Sequence, residues 1–238
     1  MWNALIDNLA QTAANHPDVV MASSLAAEDM LLTHAIHEAG VPVAIFTLDT
    51  GRLHPDTLAM IDRVREHYGI EIDRRTPDAN AVAAHVQAHG EFAFYESLEL
   101  RKACCDIRKV APLRRALSGR SAWITGQRRA QAVSRGQLEL REDDPVFGLI
   151  KYNPLAAWEE ADVWREIRAR GIPYNPLHDA GYPSIGCDPC TRPIRPGEDP
   201  RAGRWWWELA DQKECGLHAG NLGDRPAIPI RPIADASA

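Results

Sequence analysis

Residues 18–52 read DVVMASSLAAEDMLLTHAIHEAGVPVAIFTLDTGR. Asp18-Val19-Val20-Met21-Ala22 is a short apolar run of the kind a buried strand shows, and Val43-Ala44-Ile45-Phe46-Thr47-Leu48, ending at Asp49, is a second. Between them Glu28 to Glu38 reads as a helix, opened by two acids that suit the positive end of its dipole. Strand, helix and strand in so short a span predict a parallel pair joined by a helical crossover.

The alternation continues outward from this unit. Trp2 to Ala14 has helical apolar spacing in Trp2, Leu5, Ile6 and Leu9. Pro55 sits at a helix start, Tyr68-Gly69 closes that helix, Ile70-Glu71-Ile72 predicts a third strand, and Asp78 to Ala88 predicts a helix. Cys105 to Leu117 reads as helical with a kink or break at Pro112, followed by a strand at Ala122-Trp123-Ile124-Thr125. Leu138-Glu139-Leu140 and Leu149-Ile150-Lys151-Tyr152 are short strand candidates, Asp143-Asp144 a turn before Pro145, and Trp158 to Arg170 a charged helix. The fold class is therefore α/β, a mostly parallel twisted sheet with flanking helices, and its ligand site belongs at the carboxyl ends of the strands. Beyond Gly171 the chain is rich in proline and glycine, and from Asn221 it reads as poorly ordered.

The 238 residues, 45% hydrophobic and 25% charged with net charge -6, suit a soluble globular protein large enough to bury its own core. A negative chain has no global attraction to nucleic acid, so any anion site must be local. No signal-peptide pattern opens the sequence, and no stretch reaches the roughly 18 apolar residues of a membrane span. Cytoplasm is the expected location, with neither membrane nor nucleic acid as a partner. A homo-oligomer stays open.

Five cysteines fall in three places: the adjacent pair Cys104-Cys105, the pair Cys187-x-x-Cys190, and Cys215 alone. Four plus one is the arithmetic of a four-thiolate metal site and a free thiol. Thiolates select soft centres, so zinc and an iron-sulfur cluster both fit, with disulfides as the third reading. Three further segments fall at strand ends. Ser23-Ser24-Leu25-Ala26-Ala27-Glu28-Asp29 could present N–H groups and hydroxyls to a phosphate or be an ordinary helix cap. Leu48-Asp49-Thr50-Gly51-Arg52 could hold a ribose and base edge or be a plain turn. From residue 125 through 138 there are three guanidiniums, Arg128, Arg129 and Arg135, and no acid, which suits phosphate or sulfate as well as a solvated basic face.

Taken together these segments resemble the thioredoxin-dependent adenylyl-sulfate (APS) and phosphoadenylyl-sulfate (PAPS) reductases. The resemblance runs from about residue 18 to 220. It rests on Ser23 to Asp29 as a modified PP-loop, Leu48 to Pro55, Cys104 to Lys109, Thr125-Gly126-Gln127-Arg128-Arg129, Ile185 to Arg192, Gly203 to Glu208, and Lys213-Glu214-Cys215-Gly216-Leu217-His218. It implies an adenine nucleotide alpha-hydrolase-like fold and a 4Fe-4S cluster on Cys104, Cys105, Cys187 and Cys190. It further implies APS as substrate, with PAPS or both as the alternative, and thioredoxin as electron donor. Cys215 becomes the nucleophile, with Lys109 and His218 as helpers; Ser23, Ser24, Leu48, Asp49, Thr50, Gly51, Arg52, Arg128, Arg129, Arg201 and Arg204 become substrate contacts. On this reading residues 1–200 form the nucleotide-binding and iron-sulfur domain, and 201–238 a mobile catalytic tail. Relatives commonly read Arg-Arg-Asp-Gln-Ser where this chain has Ala130 and Ala132 in place of Asp and Ser. A PP-loop ATP pyrophosphatase predicts a Ser-Gly-Gly-x-Asp-Ser loop, which residues 23–29 lack. An iron-sulfur scaffold or sensor leaves Cys215 and the arginines without a role.

Overall fold

The computed structural model describes residues 1–132 and 135–208; Cys215 and His218 lie outside the described residues. Its elements run α1 (Trp2–Asn15), β1 (Val20–Ser23), α2 (Ala27–Ala39), β2 (Ala44–Leu48), α3 (Pro55–Tyr68), β3 (Asp73–Arg75), α4 (Ala79–His89), α5 (Leu98–Cys105), α6 (Ala111–Leu117), β4 (Ala122–Ile124), β5 (Arg141–Asp144), β6 (Leu149–Tyr152) and α7 (Glu160–Arg170). Six strands form one sheet in the order β3-β2-β1-β4-β6-β5. All neighbours pair parallel except β5 with β6. After β1 the chain adds β2 and β3 on one side and then β4 on the other, so the order reverses between β1 and β4. Open α/β sheets bind ligands at that reversal, outside the carboxyl ends.

The alternation of strand side chains divides the core in two. Met21, Ile45 and Ile124 face Leu5, Leu9, Met30, Met60, Val64, Val163 and Ile167 from α1, α2, α3 and α7. Val20, Phe46 and Trp123 face Leu113, Ala116 and Leu117 from α6. Helix ends follow the expected chemistry: Pro55 opens α3 behind His54, whose ring accepts the Asp56 N–H, and Gly69 closes it at φ +68, a conformation L side chains resist.

Three expected elements move. The third strand forms at Asp73–Arg75, because Ile72 turns into the core at 6% exposure while the polar residues after it pair with β2 through backbone alone. The 138–140 strand is absent; Leu138 is buried, and the ladder forms at Arg141–Asp144, where Glu142 and Lys151 are register partners and ion-paired at 2.8 Å. Asp144 then accepts the Val146 N–H at 3.1 Å, so the turn follows it. The helix expected from Cys105 begins earlier, at Leu98, and passes through a π turn at Asp106–Val110. That turn hands Ala111 N–H to Asp106 O, and Pro112 falls in the first turn of α6, where it breaks nothing. Among the described residues no helix is long and apolar enough to cross a membrane.

Candidate active site

A cavity of about 440 Å³ opens at the β1–β4 reversal, lined by Ser23, Ser24 and Ala26 to Asp29 after β1, Thr47, Leu48 and Thr50 at the end of β2, and Thr125 to Arg128 after β4. Lys109, Arg135, Arg201 and Arg204 bring positive charge to the same space. Asp29 staples the loops together. Its carboxylate accepts the Ser24 N–H at 2.6 Å and the Ser24 hydroxyl at 2.5 Å, and the Gly126 N–H reaches it from β4. Burial pushes its pKa up to about 6 against the pull of those hydrogen bonds. Gly126 is required at this crossing: a Cβ there stands 2.2 Å from Asp29 Oδ1. Leu25, inside the same loop, holds φ +62 with its N–H on Ser23 Oγ, a strained backbone of the kind that gathers at functional sites.

Glu28 makes a second staple. It accepts Arg128 Nε at 2.9 Å, Arg128 Nη2 at 2.8 Å and Gln131 Nε2 at 3.0 Å, while Arg135 donates to Gln131 Oε1. Arg128 Nη1 reaches Trp158 O at 3.4 Å. The His178 ring accepts the Ala27 N–H through Nε2, which places its proton on Nδ1, and burial depresses its pKa. The Gln127 side-chain oxygen is buried without a partner among the described residues.

Against one wall of this cavity lies a second, smaller chamber. Cys104 and Cys105, at the end of α5, meet Cys187 and Cys190, and all four line it together with Arg52, Arg101, Arg108, Lys109, Phe94 and Trp205. The loop carrying the second pair is held by Asp188 N–H to Arg52 O at 2.7 Å and by Trp205 N–H to Cys190 O at 3.0 Å. Arg108 Nη1 donates to Thr50 O at 2.7 Å, and Thr50 Oγ1 lies 3.2 Å from Cys187 Sγ. None of the four is in a disulfide. Burial pushes the Cys190 thiol up to about 12, with Cys187 adding to the shift, and raises Cys104 as well. Thiols held protonated in this way, as Cys104 and Cys190 are, ionise when a metal's positive charge is set beside them. Soft donors, four neighbouring cations and a buried indole N–H of Trp205 with no partner among the described residues fit an anionic metal–thiolate centre. As the side chains stand, no group of three or more His, Cys, Asp or Glu among the described residues closes on a metal ion, so the fit rests on the chemistry of the four thiols and the chamber they share.

The two spaces share Lys109 and Trp205 as a common wall. The sequence profile of the phosphoadenosine phosphosulfate reductase domain matches residues 18–193, most of the chain. The chain belongs to the phosphoadenosine phosphosulfate reductase family. It is 62% identical over 219 residues to the adenosine 5'-phosphosulfate reductase of Burkholderia cepacia, covering 92% of this chain and 88% of that one. It is 52% identical over 222 residues to the enzyme of that name from Allochromatium vinosum, covering 93% and 87%. Among solved structures, the phosphoadenylyl-sulfate reductase of Candida auris, a phosphate complex, superposes with a TM-score of 0.69 at 26% identity, over 79% of this chain and 90% of that one.

In this member of the phosphoadenosine phosphosulfate reductase family, Ser23, Ser24, Leu48, Thr50, Arg128, Arg201 and Arg204 line the larger cavity. Other expected contacts sit elsewhere. Asp49 is buried against Arg74 at 2.5 Å and accepts the Gly51 N–H at 3.0 Å, so it shapes the turn. Gly51 lies beside Arg108, and Arg52 stacks over Phe94 at 5.0 Å and faces the cysteines. Arg129 turns away to Leu138 O at 2.6 Å. Arg128 lines the cavity with its fork engaged by Glu28. Sequence reasoning missed Glu28 and Asp29 as staples, along with Arg101, Arg108 and His178. Only the acids in the PP-loop run offered a signal, and there they read as helix-opening charges.

Proposed function

We propose that this chain is an adenylyl-sulfate reductase, which converts adenosine 5'-phosphosulfate to sulfite and AMP in sulfate assimilation with reduced thioredoxin as donor. The carrying observation is the shared wall, which sets a cationic strand-end cavity directly against a four-cysteine chamber. Relatives matching this chain over most of its length bear the name adenosine 5'-phosphosulfate reductase, which supports APS over PAPS.

Adenosine lies against the end of β2 at Leu48 and Thr50, and the phosphosulfate faces Ser23, Ser24, Lys109, Arg201 and Arg204. Cys215, the fifth cysteine beside the two pairs, supplies the nucleophile, with Lys213 and His218 near it in sequence to favour its thiolate. The thiolate attacks the sulfonyl sulfur. An S–S bond forms while the S–O bond to the AMP phosphate breaks, and that bonding pair leaves with AMP. Cations aimed at the departing phosphate stabilise the transition state more than the bound substrate, because the charge grows as the bond breaks. Arg128, held by Glu28, orients the loop. A thiolate of reduced thioredoxin then attacks Cys215 Sγ and expels sulfite, and its second thiol resolves the mixed disulfide. The two electrons come from the dithiol.

Cys104, Cys105, Cys187 and Cys190 hold a 4Fe-4S cluster, which supplies a structural and electrostatic centre beside Lys109. The test is anaerobic sulfite release with thioredoxin supplied. APS should be turned over and PAPS left nearly untouched; equal or greater turnover of PAPS reverses the substrate assignment.

A further inference from the structure

Gln127 has no part in the proposed steps, although it lines the larger cavity and is only 6% exposed. Its side-chain oxygen is buried with no partner among the described residues. The backbone that carries it is tied down on both sides. The Gln127 N–H reaches Thr125 Oγ1 at 3.4 Å, and that hydroxyl donates to Asn153 Oδ1 at 2.7 Å. Before it the Gly126 N–H meets Asp29, and after it the Arg128 N–H meets Gln131 Oε1 at 3.1 Å while the Arg128 fork holds Glu28. The end of β4 is therefore fixed, and the amide oxygen of Gln127 is left over.

A buried amide oxygen without a hydrogen bond is costly, and in a ligand cavity it calls for a donor on the ligand. Phosphosulfate oxygens are themselves acceptors near neutral pH and cannot supply one. The donors of an adenine nucleotide are the amine of its base and the hydroxyls of its ribose. The base is assigned to the end of β2, and β4 stands two strands away across β1, about 9.6 Å at the usual strand spacing. With its base at β2, a nucleoside reaches across that gap with its sugar and not with its amine.

We propose that Gln127 is a substrate-binding residue that selects ribose, its side-chain amide holding a ribose hydroxyl of the nucleotide. That assignment rests on the reading of the larger cavity as the nucleotide site. Oε1 accepts the hydroxyl hydrogen, and the hydroxyl oxygen can equally accept from the amide N–H2, so the contact survives a turn of the amide. A nucleotide that lacks the hydroxyl leaves the amide unpaired, and sites built on such a bond reject the analogue without it.

The test uses anaerobic, metal-loaded wild type with Gln127→Met, which keeps the length and removes the amide, and Gln127→Asn, which draws the amide back. Calorimetry gives their affinities for AMP, 2'-deoxy-AMP, 3'-deoxy-AMP, and purine riboside 5'-monophosphate, which lacks the base amine. Wild type should bind AMP more tightly than one of the two deoxynucleotides by on the order of tenfold. In both variants AMP should fall to the level of that deoxynucleotide, leaving a ratio within about twofold, while the loss from removing the base amine stays the same in all three proteins. The thermal midpoint of ligand-free Gln127→Met should equal or exceed that of wild type, because only an unpaired polar group is lost. Ribose discrimination that is absent from wild type, or that survives in the variants, overturns the proposal. So does a coupling of Gln127 to the base amine instead of a hydroxyl. A lowered midpoint with an equal loss for all four nucleotides, or variants that do not fold, makes Gln127 a support of the loop and overturns it as well. Failure of wild type to bind AMP overturns the nucleotide reading of the cavity instead, and is seen before any variant is compared.

Discussion

The nucleotide-side cavity and the cysteine chamber share a wall but are built by different rules. The cavity is made where consecutive strands end, from backbone, hydroxyls and short loops stapled by Glu28 and Asp29. The chamber joins the end of one helix to a loop more than 80 residues away, and buried arginines surround its four thiols. The first follows from the topology of the sheet and needs no ligand to keep its shape. The second gathers four soft donors among cations, a set suited to a metal. Perturbing one should therefore leave distinct marks on the other.

The largest contrast should come from the thiols. Replacing Cys104, Cys105, Cys187 or Cys190 with Ser should remove about four iron and four sulfide per chain, as that cluster type holds, and with them activity. AMP binding should fall far less. Stoichiometric zinc without sulfide in the wild-type protein contradicts the cluster.

Next come the cations on the wall and across it. Lys109→Ala and Arg204→Ala should lower kcat/KM by on the order of 100-fold, about 2.7 kcal/mol of transition-state stabilisation. Arg129→Ala, whose guanidinium turns to Leu138 O, should stay within about threefold. If Arg129 proves as costly as Arg204, the anion path has been drawn through the wrong loop.

A smaller effect should touch the cavity alone. Gly126→Ala sets a Cβ against an Asp29 carboxylate that Ser24 and burial hold in place. Substrate affinity should drop by on the order of tenfold, about 1.4 kcal/mol, while the iron content is unchanged.

The last effect bears on stability and not on activity, and depends on pH. Folding raises the Asp29 pKa from the usual carboxylate value to about 6, so the folded state favours its proton. Its contribution is fully present below about pH 4 and is lost as pH rises through about 6, by at most about 3 kcal/mol at 1.36 kcal/mol per unit. Asp29→Asn cannot titrate there. The difference in unfolding free energy between wild type and variant should therefore shift in the variant's favour from pH 4 to pH 7, as denaturant titrations would record; a flat difference removes the buried charge from the account.

The central strands and most helices were legible because apolar runs and helix ends carry the fold's own period. Edge strands β3 and β5 were not, since Asp73–Arg75 and Arg141–Asp144 are charged runs with no apolar alternation to mark them, and their side chains find partners only once the sheet is assembled. The cysteine pairs announced themselves by spacing. Their surroundings did not: Arg101 finds Glu208 across 107 positions and Arg128 finds Glu28 across 100, and no local pattern marks such partners. Lys109 was named only through the resemblance, and the structure sets it on both spaces.

The most direct test of the account is to mix enzyme with APS anaerobically, without thioredoxin, and weigh the chain. One AMP per site should appear, with a mass gain of about 80 Da, that of a transferred SO3 group, confined to the peptide containing Cys215 and reversed with sulfite release when thioredoxin is added. An adduct on any other residue, or sulfite formed by Cys215→Ser at near the wild-type rate, contradicts it.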